Sequence, residues 1–219
     1  MRALTGARRI FDVPAVLAAA FLVLAGAGLA VAADDEEKTF PAEDVLAAGP
    51  EDDKSLGSPD AKVTIVEYAS LTCSHCADFH GKTFPELKKR YIDTGKVRFI
   101  FREYPLDALA MAASALARCS APDRFFDVTG MFFDTQTVWA FTDKPVEGLT
   151  ALARQIGFTQ ESFDACLTNR TVIDGLDKVK RTAFEKFGLH STPTFYINGQ
   201  EFRGARTIEE FATVIDPLL

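Results

Sequence analysis

Positive charge is in short supply in this 219-residue chain. Its 24 Lys and Arg stand against 31 Asp and Glu, a net charge of −7. Phosphate backbones and anionic membrane surfaces are held by basic stripes, so neither nucleic acid nor an acidic lipid surface is an expected partner. Histidine is scarcer still, with His75, His80 and His190 the three. These are too few and too scattered to complete a zinc site with the four cysteines, and no metal is expected. Internal repeats and low-complexity blocks are also missing. Apolar residues make up 47% of the chain and charged residues 25%, which argues against disorder and for a globular core. The length suits one domain, or one domain with a large insertion.

Residues 1–32 read as an export signal. Arg2, Arg8 and Arg9 form a positive head, no charge occurs from Val13 to Ala33, and Ala30-Val31-Ala32 is a small-x-small cleavage pattern. The uncharged run is also long enough to span a bilayer, so a cleaved leader and a retained anchor both stay open. Either places the globular part outside the cytoplasm, in the periplasm or beyond. Without residues 1–32, Lys and Arg fall from 24 to 21 and Asp and Glu from 31 to 30, moving the net charge from −7 to −9. All four cysteines, Cys73, Cys76, Cys119 and Cys166, lie in the exported part, where disulfides are the default.

Residues 33–58 are acidic, with Pro41, Gly49, Pro50 and Gly57, and read as a tether with one short helical turn around Asp44–Ala48. Val63–Tyr68 is a β-branched, mostly apolar strand. A helix from Cys76 to Tyr91, kinked at Pro85, and a strand over Val97–Phe101 complete a βαβ unit, hence a parallel pair. Residues 106–187 read as helices, broken near Pro122, Pro145, Gly157 and Asn169. Thr194–Ile197 is a strand, Asn198-Gly199 a hairpin turn, and Thr207–Ile215 a helix whose Thr207 and Glu210 make a capping box. The expected architecture is an α/β domain, 59–105 and 188–219, interrupted by a helical insertion, 106–187, large enough for a core of its own.

Cys73-Ser74-His75-Cys76 falls between a strand and a helix. A helix N-terminus carries roughly +0.5 charge and unpaired amides, which favours a thiolate at Cys73. His75 adds a positive charge or a hydrogen bond in the same loop. Were the Cys73 pKa to fall from ~8.5 to ~4.5, ionisation at pH 7 would stabilise the reduced form by roughly 3.4 kcal/mol and make the disulfide about 70 mV more oxidising. Such a pair donates its disulfide: a substrate thiolate attacks Cys73, and Cys73 departs as a stable thiolate when a second substrate thiol resolves the mixed disulfide. No cofactor is needed, because the disulfide is itself the oxidant. Covalent haem is excluded, since Ala77 stands where His is required. A plain structural staple is the remaining alternative, and a two-residue loop opening a helix is a strained place for one. Ser191-Thr192-Pro193-Thr194 gives a second signal. Beside the cysteines, a cis Thr192–Pro193 bond would leave the Thr192 backbone free to pair with a substrate chain.

Val63–Tyr68, the C-S-H-C at 73–76, the helical insertion and Ser191–Ile197 together resemble the thioredoxin superfamily, and more narrowly its DsbA-like disulfide oxidoreductases, from about residue 56 to 219. The resemblance implies a thioredoxin-like fold, Cys73 as nucleophile, Cys76 as resolving thiol, and Thr192-Pro193 as a substrate-facing cis loop. It implies that reduced or unfolded exported proteins are the substrates, with reoxidation by a membrane quinone-linked oxidase. Glu67 matches a buried acid that manages the proton of the second cysteine; an ordinary strand-end glutamate is the alternative. Ser74-His75 departs from the family's frequent Pro-His and leaves the potential open. Disulfide reductase or isomerase and a non-catalytic binding protein are the competing functions. Isomerases usually carry an added dimerisation domain, for which 34–58 is too short, which weighs against that function; a monomer is expected.

Cys119 and Cys166 lie on apolar helix faces. Oxidising surroundings favour a structural disulfide over two buried thiols, stabilising by ~4 kcal/mol through closure of a loop of about 48 residues. Phe125-Phe126, Phe132-Phe133, Trp139 and Phe141 are expected in the core, with a groove for unfolded peptides as the alternative. His80 and His190 are expected to be solvated or packed.

Overall fold

The computed structural model describes residues 37–49 and 52–219; residues 1–32, read above as an export signal, lie outside them. Among the described residues no helix is long and apolar enough to cross a membrane.

Five strands form one sheet in the order β1-β3-β2-β4-β5. They are β1 (Lys54–Leu56), β2 (Val63–Ala69), β3 (Val97–Glu103), β4 (Thr194–Ile197) and β5 (Gln200–Arg203). β2 and β3 are parallel, as the βαβ spacing requires, with Val63 opposite Val97 and Ala69 opposite Glu103. The other pairings are antiparallel. Asn198 and Gly199, at φ 47° and 92°, turn β4 into β5. A Cβ on Gly199 would stand 2.0 Å from the Phe40 carbonyl oxygen, so glycine is required there twice over.

The described residues of the stretch read as a tether, 37–49 and 52–58, are part of the fold. They contain helix α1 (Ala42–Ala47) and the edge strand β1, paired to β3 from Lys54–Phe101 to Leu56–Phe99. Thr39 bridges to Gln200, and the Glu201 amide donates to the Lys38 carbonyl at 2.7 Å, so this segment lies along β5 at the other edge. Charge holds it down. The Arg102 guanidinium, fully buried, gives its five N–H groups to both Asp53 carboxylate oxygens, the Val45 and Leu46 carbonyls and the Tyr68 hydroxyl. A buried cation is tolerated when every donor is matched in this way.

Alternation along the strands separates two cores. Val66, Tyr68, Ile100 and Tyr196 face α1 and the last insertion helix, α9 (Arg170–Phe187). Val63, Ile65, Ala69, Phe99, Phe101 and Phe195 face the other way. There they meet the helix after the cysteines, the C-terminal α10 (Ile208–Ile215) and most of the insertion. The cysteine helix starts as α2 (Ser74–Asp78), opens into a wide turn (Phe79–Thr83), tightens as α3 (Phe84–Leu87) and opens again (Lys88–Ile92). Pro85 cannot donate its missing amide to the ladder, and the i→i+5 turns absorb the disruption. The Thr207 capping box forms.

The insertion comprises α4 (Ala108–Cys119), α5 (Phe125–Asp134), α6 (Gln136–Trp139), α7 (Pro145–Gln155), α8 (Gln160–Leu167) and α9. It does not enclose a core apart. Phe125, Phe132, Phe133 and Trp139 join the cluster that holds Phe99 and Phe101, because the sheet face is wider than the cysteine helix alone can cover. Phe141 is exposed. The Cys119 and Cys166 sulfurs are bonded, joining α4 to α8.

Candidate active site

Cys73 is the N-cap of α2, and its Sγ accepts the Cys76 amide at 3.3 Å. Sulfur thus occupies the place that a Ser or Asp oxygen usually takes at a helix start. Both cysteines are unbonded, and they differ in access: Cys73 is 8% exposed and Cys76 is 0%. The Thr192–Pro193 peptide is cis. The Thr192 carbonyl oxygen lies 3.3 Å from Cys73 Sγ, which donates to it as a thiol.

These contacts set the charge of the two sulfurs. Cys73 is lowered from 9.0 to about 6, first by the hydrogen bond from the Cys76 thiol, which outweighs the opposing effect of burial; the Thr192 side chain and the Cys76 and His75 amides add to it. The Thr192 hydroxyl is buried and has no partner while Cys73 is a thiol, so it is a donor held ready for the thiolate. Cys76 is pushed well above the ordinary thiol range, by burial first and then by Cys73 and the charge of Glu67. His75 helps through its backbone amide; its ring is exposed. Of the two contributions expected of His75, a charge or a hydrogen bond, the hydrogen bond is present, through the backbone.

The loop is held from two directions. Gln136, from α6 of the insertion, donates its Nε2 to the Leu71 carbonyl at 2.8 Å and the Cys73 carbonyl at 3.0 Å. Thr72 donates to Asp107 at 2.7 Å, and Asp107 caps α4. Glu67 is wholly buried on β2, and its Oε2 is 2.9 Å from His80 Nε2. No cluster of ligating side chains that could hold a metal occurs among the described residues.

The sequence pattern of the Thioredoxin family matches residues 50–217. Crystalline alpha-DsbA1 of Wolbachia pipientis superposes with a TM-score of 0.73 at 32% identity, over 80% of this chain and 94% of that one. The chain belongs to the DsbA-like thiol:disulfide oxidoreductases. A candidate protein-disulfide oxidoreductase of Rickettsia conorii is 33% identical over 170 residues, 77% of this chain, and the match spans 61% of that relative's length. Disulfide bond formation protein D of Bacillus subtilis is 27% identical over 169 residues, 74% of each chain.

Two residues of this DsbA-like site escaped the sequence reading. His80 is neither solvated nor merely packed: it stacks on Phe133 at 4.2 Å and bonds to Glu67. Its spacing of four from Cys76 was the available signal, since i and i+4 share a helix face. Gln136 had none, because its acceptors lie more than sixty residues upstream. His190 bonds its own backbone neighbour, the Gly188 carbonyl, and is exposed.

Proposed function

We propose that this protein donates a disulfide from Cys73 and Cys76 to thiol-bearing polypeptides in an oxidising compartment. The observation that carries the reading is the asymmetry of the two sulfurs, one accessible and ringed by donors, the other dry and resistant to ionising. In the oxidised protein a substrate thiolate attacks Cys73 Sγ. The Cys73–Cys76 bond breaks, and Cys76 departs as a thiolate that takes up a proton. A second substrate thiolate then attacks the substrate sulfur of the mixed disulfide, and Cys73 leaves as its stabilised thiolate. Two electrons pass from substrate to protein. Thr192, beside Cys73, presents backbone to the incoming chain.

With Cys73 at about 6, ionisation at pH 7 favours the reduced form by at most about 1.4 kcal/mol, about 30 mV, because solvent at the loop screens part of it. That is less than half the driving force a pKa near ~4.5 would supply. The protein is therefore a moderate oxidant on this ground, and a membrane quinone-linked oxidase suits its reoxidation. Equilibration with graded glutathione redox buffers, read by alkylation and mass spectrometry, tests the reading. Cys73–Cys76 should be reduced under mildly reducing conditions that leave Cys119–Cys166 intact. Cys73→Ala should abolish oxidation of a reduced test protein, and Cys119→Ala should not. If Cys73–Cys76 resists reduction as stubbornly as the other bond, the proposal fails.

A further inference from the structure

β2 sends Val63, Ile65, Glu67 and Ala69 to one face of the sheet, so a carboxylate sits where the pattern calls for a hydrocarbon. Glu67 is fully buried, with Phe101 and Phe195 as its strand partners. An ionised carboxylate alone in such a place is strongly disfavoured. His80 meets it from the cysteine helix. Its Nε2 is 2.9 Å from Glu67 Oε2, and the two side chains are 7% and 0% exposed. The imidazole is fixed against Phe133, stacked at 4.2 Å, with Phe84 at 5.0 Å and Phe101 at 5.8 Å. Glu67 Oε1 is buried without a hydrogen-bond partner. The titratable group facing the pair is Cys76, one helical turn before His80, with Cys73 behind it; the charge of Glu67 is felt at Cys76.

We propose that His80 is a positioning residue whose imidazolium keeps this buried trio neutral while a proton moves between Glu67 and Cys76. The inference rests on the disulfide-exchange reading above. With Cys76 a thiol, the charges are Glu67 minus and His80 plus. With Cys76 a thiolate, Glu67 holds the proton, and the charges are Cys76 minus and His80 plus. The sum is zero in both states, so Cys76 ionises inside an apolar core without net charge being buried. When the reduced protein meets oxidised glutathione, Cys73 thiolate attacks it, forming the mixed disulfide and releasing one glutathione thiolate. Cys76 passes its proton to Glu67, attacks the Cys73 sulfur, closes the Cys73–Cys76 bond and expels the second glutathione thiolate. Two electrons leave the cysteine pair. In the donating direction, the departing Cys76 recovers its proton from Glu67.

The test is rapid mixing of the reduced full chain with oxidised glutathione, acid quenching, and mass spectrometry of the Cys73–glutathione intermediate as a function of pH. In the unaltered protein, the resolving step should be flat across about two pH units around neutrality, because the proton stays inside. In His80→Gln the intermediate should accumulate. Its resolution should slow at least about tenfold at pH 7 and quicken about tenfold per pH unit, since hydroxide must then remove the Cys76 proton. His80→Lys restores a cation and should recover the plateau. Glu67→Gln, an isostere that needs no histidine to fold, should show the same sloping profile as His80→Gln. Cys73 ionisation, read from thiolate absorbance, should stay in place throughout. A flat, full-rate profile in His80→Gln or Glu67→Gln overturns the proposal, as does His80→Lys behaving like His80→Gln. If the unaltered protein forms no mixed disulfide at Cys73, it is the exchange reading itself that falls.

Discussion

The ionisation of Cys73 has a consequence for folding that can be measured without any substrate. Its pKa is about 6 in the reduced fold against 9.0 for an ordinary thiol. The folded value is the depressed one, so the stabilisation exists above it and is lost as pH falls through about 6; it is complete only above 9. Linkage gives a contribution near zero at pH 5, about 1.4 kcal/mol at pH 7 and about 2.7 kcal/mol at pH 8, each an upper figure because solvent reaches the loop. The oxidised fold lacks this thiolate. The other ionisable groups are shared by both forms, apart from Cys76, which stays protonated throughout this range because burial raises it. Urea unfolding of the two forms at pH 5, 7 and 8, with Cys119–Cys166 verified intact, therefore isolates Cys73. The reduced form should gain on the oxidised form by up to about 2.6 kcal/mol between pH 5 and pH 8, less whatever solvent screens. A difference that stays constant over that range, or a thiolate absorbance that rises only above pH 8, would refute the electrostatic account.

Thr192→Val removes a hydroxyl donor to the thiolate while keeping the shape, and should raise the Cys73 pKa by about one unit, read from thiolate absorbance. Gln136→Leu leaves the Leu71 and Cys73 carbonyls without their buried donor and should cost about 2 kcal/mol of stability in denaturant unfolding. Cys119→Ala with Cys166→Ala releases a crosslink between residues 47 apart and should cost about 4 kcal/mol in the chain-entropy account, with the Cys73 pKa unchanged.

What was legible in the sequence was what local chemistry determines. The parallel βαβ unit followed from Val63–Tyr68, Val97–Phe101 and the helix between them. Asn198-Gly199 demanded positive φ, and Thr207 with Glu210 spelled out its own cap. Cys73 and Cys76 stood out through their place before a helix. The features missed depend on partners far along the chain. Lys54–Leu56 has no strand pattern of its own and becomes β1 through β3, which follows it by some forty residues. The helix-start amides expected to favour an acidic Cys73 do act there, those of Cys76 and His75 among them. The larger donors, which the local pattern does not reveal, are the Cys76 thiol and the side chain of Thr192, 119 residues away from Cys73 in the chain. For His80, the spacing of four from Cys76 places it on the cysteine face of the helix but does not reveal that Glu67 meets it from the adjoining strand.

Both margins of the sheet are closed to visitors. On one side β1 is three residues long and carries a lysine; on the other, residues 38–40 lie against Gly199–Glu201 and occupy that ladder. If the protein acts on unfolded polypeptides, as proposed, it is surrounded by segments searching for any open ladder to extend, and a long bare margin would recruit them into aggregates. Trimming the N-terminal side as far as Phe40 would strip one margin of its cover. Such a version would gain a sticky side, even though the cysteine loop is untouched.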